Sequence, residues 1–481
     1  MGRRRTSAVN GGATFGRVTG GTTFMSFVDP SERNVGPPGM GEECYMTDQK
    51  LRLPWGHHDE VELTLPPGWK LRETLTPKRP AAMPDLREEI ERALANPIGA
   101  PRLSEFARRG KTACVVIDDR TRPTPVAAML PPALAELNAA GVADENITVL
   151  VALGTHREMT EAELAARVGP EVMRRVRVVN HSMAPEQNAD LGRTPTDGVP
   201  VTLNKIAAAA DTVVSIGCIE AHEQAGFGGG HKNLMPGVAG WEPVRATHNA
   251  GFQKPERISS AGMPRARCRF RRAVDECGAM LGPKVWIMNA VLDPVRVMAV
   301  VAGDPILAHE EGTKIYTRMA AVKLSAPADV VIAGSNPLDL DLRVSFKACF
   351  NAAAALKPGG LFIAVTKAEE GMGDLRMPRR LSRVARPLVR LIPTGVVERL
   401  SANYVPTPDL AAGAISLLRL IKGSRAWLFL TGPMDGLNIL TNAGLDFFHD
   451  PEALVARAEK LMPTAEVVAL PQAGASYVAW D

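Results

Sequence analysis

The chain predicts an α/β protein built on two mainly parallel sheets, and three observations lead there. Continuous apolar runs such as Thr112-Ala113-Cys114-Val115-Val116-Ile117 alternate with longer Ala- and Leu-rich stretches, as expected for strands covered on both faces by helices. These runs fall into two series, which implies two domains. A length of 481 residues is also enough for about two to four domains.

Folded sequence is expected from about Gln49-Lys50-Leu51-Arg52-Leu53. Before it, Met1 to Gly41 is rich in Gly, Arg, Ser and Thr and has no periodicity. Such a segment cannot bury enough surface to offset its ordering entropy, so a disordered tail is expected over 1–46. Arg3, Arg4 and Arg5 are not followed by the apolar stretch of a targeting signal. In the first series, the strand at 112–117 ends in Asp118-Asp119. A helix follows from about Pro125 to Ala139, opened by Pro-rich turn chemistry and stopped by Gly141. Next come a strand Ile147 to Leu153, a helix Glu161 to Arg167, a strand Val176 to Val179, a helical segment near Lys205, and a strand Thr212 to Ile219. The second series contains strands Val285 to Val291, Asp329 to Ala333, Leu361 to Val365, Trp427 to Leu430 and Glu466 to Leu470, with helices Asp304 to Lys323 and Val344 to Leu356. The domain limits expected are 47–300 and 301–464, with the C-terminal strand 465–481 a candidate to join the first. Repeats at a fixed period are not apparent.

Composition narrows the function classes. Hydrophobic residues at 45% and charged residues at 22% fit a soluble globular chain. No apolar run reaches the roughly 18 to 20 residues that span a bilayer, so no membrane partner is expected. The net charge of +4 is dispersed, without the basic stripe and interleaved aromatics of a nucleic-acid binder. The cysteines Cys44, Cys114, Cys218, Cys268, Cys277 and Cys349 are scattered with no C-x-x-C pair. That reads as reduced thiols in a cytoplasm. The oligomeric state is left open.

The functional signal lies at the strand ends, beyond which open α/β sheets bind ligands. One strand ends in Asp118-Asp119-Arg120-Thr121-Arg122-Pro123-Thr124-Pro125 and the next in Gly154-Thr155-His156-Arg157. A third ends in Glu220-Ala221-His222-Glu223 and runs on into Gly226-Phe227-Gly228-Gly229-Gly230-His231-Lys232. Two of the nine histidines close strands of one sheet, and His248 follows soon after. One strand-terminal histidine is ordinarily a hydrogen-bonded loop residue. Several together, with Asp119 and Arg122, point to a site, because imidazole accepts and returns protons near neutral pH.

The competing readings are local. The glycine run could be a flexible turn, but with Lys232 after it and Pro236-Gly237 closing it, it better suits a backbone cradle for an anion such as phosphate. It does not match the Walker A sequence. Asp119 and Arg122 could form a surface ion pair; Pro123 and Pro125 rigidify the turn in a way that suits an arginine held against a carboxylate. Asp118 reads as a cap or turn residue, and Asp304 as the cap of the helix after it. His57, His58, His181, His231, His309 and His449 read as surface or loop residues. Residue types alone leave open whether two histidines flank a substrate while a third binds a metal or cofactor.

Taken together, these motifs and their spacing resemble the nickel-dependent lactate racemase family. His248 fits that family's metal-ligand position and Gly303-Asp304-Pro305 its inter-domain segment, and the likeness runs from about Leu51 to the C-terminus. The resemblance implies two α/β domains with the active site in the cleft between them, the first of them binding the cofactor. It implies a nickel-pincer nucleotide, Ni(II)-pyridinium-3,5-bisthiocarboxylic acid mononucleotide, used by a racemase or epimerase that inverts C2 of a 2-hydroxy acid by proton-coupled hydride transfer. Lys232 then looks like the lysine joined to the cofactor through a thioamide, and His248 looks like the nickel ligand. Asp119, Arg120, Thr121 and Arg122 look like a cofactor- and substrate-contacting loop, and His156 and His222 like the acid/base pair. In the second domain, the family's Tyr-Gln-x-x-Lys becomes Arg343-Val344-Ser345-Phe346-Lys347. Lys347 and Arg122 then look like the clamp on the substrate carboxylate. Arg343 and Val344, which replace Tyr and Gln, imply a substrate larger or more polar than lactate, or a bulkier apolar one if Arg343 turns outward. Ala221 also stands where the family often has Pro.

Two other readings compete. A zinc hydrolase would use His156, His222 and His248 around an activated water, which leaves Lys232 unexplained. A non-catalytic protein that binds a nucleotide-like cofactor would not need the paired histidines.

Overall fold

Leu51 and Leu53 alternate with exposed Lys50 and Arg52 in the first strand, β1 (Lys50–Trp55), which pairs antiparallel with β2 (Asp59–Thr64) in the register Leu51↔Leu63. This period-2 pattern makes a hairpin with one buried face. The computed structural model describes residues 46–480 except 48, 57–58, 79–83, 249–251, 253–258, 294–295, 374–392, 394, 397–417, 438–439 and 442–443. The tail expected at 1–46 therefore lies, up to residue 45, outside the described residues, as do Cys44, His57 and His58.

In chain order there follow β3 (Trp69–Thr74), α1 (Leu86–Ala95), β4 (Ala113–Asp118), α2 (Val126–Ala139), β5 (Ile147–Ala152), α3 (Glu161–Val168), β6 (Arg177–Asn180), β7 (Thr212–Ile219), α4 (Trp241–Thr247), α5 (Arg269–Ala279), β8 (Val285–Asp293) and β9 (Arg296–Gly303). The chain continues through α6 (Leu307–Ala320), β10 (Ala328–Gly334), α7 (Leu342–Ala352), β11 (Leu356–Thr366), β12 (Ala426–Thr431), β13 (Leu445–Phe448), α8 (Pro451–Leu461) and β14 (Ala465–Leu470).

Two six-stranded sheets result, so the expected α/β class holds. The first has the order β9-β8-β7-β4-β5-β6 and is parallel except for β9. Its strands are covered on both faces. Val115 and Ile117 pack with Met129, Leu130 and Leu134 of α2, while Cys114 and Val116 face a second layer with Val244, Phe270 and Val274. The second sheet, β13-β12-β11-β10-β14-β3, is wholly parallel. The β1–β2 hairpin and α8 cover one of its faces and α7 the other.

Sheet membership departs from the contiguous division at residue 300. β3 belongs to the second sheet although it precedes every strand of the first, and 465–470 pairs with β10 and β3 there, not with the first sheet. Tyr477–Val478 pairs with Ala321–Val322. The helix expected at 304–323 spans Leu307–Ala320, and its Ala308, Tyr316 and Ala320 pack on Ile287, Val291 and Val301 of the first sheet. Asp304 caps it as expected, its Oδ1 accepting from the Ile306 and Leu307 amides at 2.9 Å. The cysteines described are buried free thiols. Among the described residues no helix is long and apolar enough to cross a membrane.

Candidate active site

β4 ends in Asp118 with its carboxylate already buried, and a buried charge needs a partner. Arg167 of α3 supplies one. Its Nη2 pairs with the Asp118 carboxylate and its Nε donates to the Asp118 carbonyl at 3.1 Å. Its Nη1 donates to the carbonyls of Arg122 and Thr124 at 3.1 and 3.0 Å. The Thr124 hydroxyl donates to the other Asp118 oxygen. One guanidinium thus fixes the whole turn from 118 to 124. Asp118, read above as a cap or turn residue, is the last residue of a strand and half of a buried ion pair.

From that turn Asp119 reaches β5's terminal loop. Its Oδ1 accepts from the amide and hydroxyl of Thr121 at 3.0 and 2.6 Å, and its Oδ2 lies 2.7 Å from His156 Nδ1. Burial opposes the charge on Asp119, but the hydrogen bond and charge of His156 and the Thr121 contact outweigh it and hold the carboxyl well below its usual range. A carboxylate at Nδ1 fixes the ring's tautomer, with the proton on Nδ1 and the lone pair on Nε2. Arg120 turns away to Glu163, 3.6 Å distant, while Arg122 donates to Glu220 Oε1 at 2.6 Å.

After β7, Ala221–His222 pairs with Gly226–Phe227. His222 Nδ1 accepts from the amides of Gln224 and Ala225 at 3.2 and 3.3 Å, which places the proton of the neutral ring on Nε2. Burial, with Lys232, Arg122 and Lys347 adding positive charge nearby, pushes His222 well below the ordinary histidine value. The glycine run packs tightly and is no open cradle. Gly226 has φ +73°, and a Cβ there would stand 2.4 Å from the Met263 carbonyl oxygen. The amides of Gly228, Gly230 and Lys232 already donate to Glu220 O, Asn289 Oδ1 and Gly229 O, so these three do not wait for an anion. Arg271 of α5 holds the run from behind, donating to the carbonyls of Ala225, Phe227 and Gly229.

Glu220 gathers the cations. Its Oε1 lies 2.6 Å from Arg122 and 3.6 Å from Lys347 of α7, so groups from both sheets meet on one carboxylate. Burial opposes its charge, but Lys347, Arg122 and Lys232 together hold its carboxyl below the usual value. Arg343 and Val344 lie half-buried in the first turn of α7. Arg343 is four residues before Lys347, which puts the two on one helix face. His248 caps α4; its Nδ1 donates to the Val244 carbonyl at 3.0 Å, and its ring meets Phe270 edge-on with centroids 5.0 Å apart. Among the described residues no three His, Cys, Asp or Glu side chains gather to hold a metal, so the geometry gives the zinc-hydrolase reading no support.

Comparison with known proteins identifies the family. A family model described as the lactate racemase N-terminal domain matches residues 56–260. A lactate racemase from Lactiplantibacillus plantarum is 30% identical over 305 residues, 63% of this chain and 70% of that protein. The chain belongs to the lactate racemase family. It is accordingly an enzyme, an isomerase. A second lactate racemase, from Thermoanaerobacterium thermosaccharolyticum, is 32% identical over 287 residues, 59% of this chain and 66% of that one. The fold agrees. The structure of the lactate racemase apoprotein from T. thermosaccharolyticum superposes with a TM-score of 0.76 at 24% identity, covering 90% of this chain and 100% of that one. A crystal structure of a Thermotoga maritima protein follows at 0.57 and 20%, covering 83% and 99%.

Within this lactate racemase family member, three histidines read above as surface or loop residues are buried parts of the scaffold. His231 pairs with Asp275 at 3.3 Å and His309 donates to the Gly228 carbonyl at 2.8 Å. His181 donates to the Ala239 carbonyl at 2.9 Å and accepts from Asn204. His449 is exposed. Sequence reasoning also missed Arg167, Arg271 and Glu220. For Arg167 a signal existed: it lies on the same face of α3 as Leu164 and Val168, all three buried, where an arginine demands an internal partner.

Two measurements follow. Arg167→Met leaves the Asp118 charge buried without its partner, which costs about 3–5 kcal/mol. Urea unfolding should show that loss, and adding Asp118→Asn should restore a substantial part of it. Burial also holds His181 down to about 4 and His309 to about 3. The unfolded chain takes up these protons near pH 6.5, so it binds more protons than the folded chain between those values, and stability falls as pH drops through that window. The urea midpoint should decline from about pH 7 to about pH 4, and less steeply in His309→Gln, which keeps a donor for Gly228 without titrating.

Proposed function

We propose that this isomerase inverts the C2 stereocentre of a 2-hydroxy acid, lactate or a larger and more polar relative, in the cytoplasm. The observation that carries the reading is the Asp119–His156 pair at 2.7 Å beside cations that converge on one point, Arg122 and Lys347. Both curated relatives bear the name lactate racemase. The nickel-pincer nucleotide fits the donor set. Lys232 and Arg122 bring positive charge to the strand ends, as an anionic nucleotide requires. Lys232 offers a primary amine beside the glycine run. His248, tied at Nδ1 to a carbonyl, keeps its lone pair on Nε2, which suits a borderline metal such as nickel. When bound, this group supplies reversible acceptance of the hydride from C2.

The protein's own work is then orientation and proton transfer. Arg122 and Lys347 hold the carboxylate, one from each sheet's half, which supports a site in the cleft between two domains. His156 takes the hydroxyl proton at Nε2, and the Asp119 carboxylate stabilises the imidazolium that forms, the role of the buried acid in hydrolytic triads. His222 serves the opposite face. Two amides hold its Nδ1 as an acceptor, so Nε2 acts as base only in the other tautomer, whose Nδ1–H gives up those amides and faces Glu223 Oε2, 3.7 Å away. Arg343, on the Lys347 face of α7, adds a planar fork for a distal carboxylate or polar group, so a 2-hydroxy dicarboxylic acid or a sugar acid suits this chain better than lactate.

His156→Ala and His222→Ala should each abolish racemisation, measured by chiral chromatography, while intact-protein mass spectrometry still finds the nickel-bearing adduct on Lys232. Asp119→Asn should lower kcat by about 100-fold or more. Full activity in either histidine variant, or an unmodified Lys232 in active enzyme, would overturn the assignment. Arg343→Ala should weaken use of a dicarboxylic substrate by roughly tenfold or more, the loss of one charge-assisted contact, and should leave lactate turnover unchanged. If lactate outpaces every larger acid and Arg343→Ala changes nothing, the substrate reading fails.

A further inference from the structure

Glu220 has no role in the chemistry described so far, yet it touches both cations assigned to the substrate. Its Oε1 lies 2.6 Å from Arg122 and 3.6 Å from Lys347, and its side chain is only 10% exposed. The surrounding charges are positive in excess. Arg122 comes from the β4 turn, Lys347 from α7 and Lys232 from the glycine run, with Glu223 acting on Arg122 from beyond and Tyr316 of α6 near enough to feel Glu220. The backbone keeps Glu220 in place, since its carbonyl accepts from the Gly228 amide at 2.8 Å.

We infer that Glu220 is an internal stand-in for the substrate carboxylate: it occupies the Arg122–Lys347 clamp until a substrate carboxylate displaces it, and so sets how tightly and with what charge a substrate binds. This rests on the reading of Arg122 and Lys347 as that clamp. Two carboxylates cannot share one pair of cations without strong mutual repulsion, so an incoming acid binds only by displacing Glu220. Arg122 and Lys347 are partly buried, and their charges are poorly solvated without an anion between them. The internal carboxylate therefore stabilises the substrate-free enzyme while weakening every substrate that must replace it. It also counts charge. Displaced from contact, Glu220 still keeps its charge beside the clamp, so Arg122, Lys347 and Glu220 together carry one net positive charge, and Glu220→Gln raises that to two.

Isothermal titration of the purified full-length protein with propionate, and separately with malonate, tests this without turnover. Glu220→Gln should bind propionate about tenfold more tightly than the unaltered protein, with a larger gain for malonate. Glu220→Asp, one methylene shorter and still charged, should fall between the two and keeps the test valid if the Gln variant folds poorly. A purely structural role would weaken anion binding or leave it unchanged. If both variants bind propionate no better than the unaltered protein while Lys347→Ala loses binding, the stand-in is wrong and the clamp survives. If Lys347→Ala binds propionate as the unaltered protein does, the clamp reading fails and takes this inference with it.

Discussion

The ion pair between Arg167 and Asp118 is the constraint on which the rest of the site depends. Asp118 ends a strand buried on both faces, so its carboxylate cannot be solvated where it lies. Arg167 meets that need and, with the same guanidinium, takes the Arg122 and Thr124 carbonyls. Three donors in a rigid fork fix a turn more firmly than three separate contacts from flexible side chains. Asp119 and Arg122 leave the turn in opposite directions, one to His156 and the other to Glu220. The directions of both side chains are therefore set by backbone and Asp118 contacts that touch neither side chain. Arg271 repeats the device behind the glycine run, where three carbonyls in five residues point inward to one guanidinium.

Burial divides the histidines by task. His181 and His309 are held neutral by desolvation and donate to carbonyls of the loops they support. Burial likewise is the main force against charge on His222, with Lys232, Arg122 and Lys347 adding to it. Among these, His156 has a carboxylate within hydrogen-bond distance of Nδ1, at 2.7 Å, whereas the carboxylate facing His222 Nδ1 stands 3.7 Å away. The two histidines proposed as an acid/base pair therefore sit in unlike electrostatic settings, and a reaction passing between them must supply the difference from substrate and cofactor charge.

Much of this was legible because buried strands announce themselves. Thr212–Ile219 appears as a strand with the expected limits, and Val126–Ala139 as a helix one residue shorter than expected. Strand-end motifs then marked where ligands bind in an open α/β sheet, and their spacing carried the family. Sheet membership was not legible, because β3 pairs with β14 across most of the chain and no local pattern encodes a partner so distant. β9 escaped for a related reason: it turns back antiparallel beside β8, breaking the alternation of strand and helix that marked the others. Arg167, Arg271 and Glu220 were hidden because charged residues read by default as solvated; only their placement among buried neighbours, visible for Arg167 between Leu164 and Val168, separates them from surface residues.

Strand order explains why these residues form one site. β4 lies between β7 and β5, paired through Ile117 to Ile216 on one side and Val151 on the other. A turn leaving a central strand can reach both neighbours, whereas one leaving an edge strand can reach only one. The turn after β4 uses that position fully, with Asp119 meeting the loop after β5 and Arg122 the segment after β7. The first sheet thereby collects an oriented histidine, a neutral histidine and an anion-binding arginine without help from elsewhere. Arg122 and Lys232 are its own cations near Glu220, and a third comes from outside. That third cation is Lys347 on α7, packed on the second sheet, four residues after the position where Arg343 departs from the family pattern. The elements that orient His156 and Arg122 and the helix that carries Lys347 therefore lie on different sheets, so the face of α7 with Arg343 and Lys347 can vary without disturbing the Arg167-pinned turn.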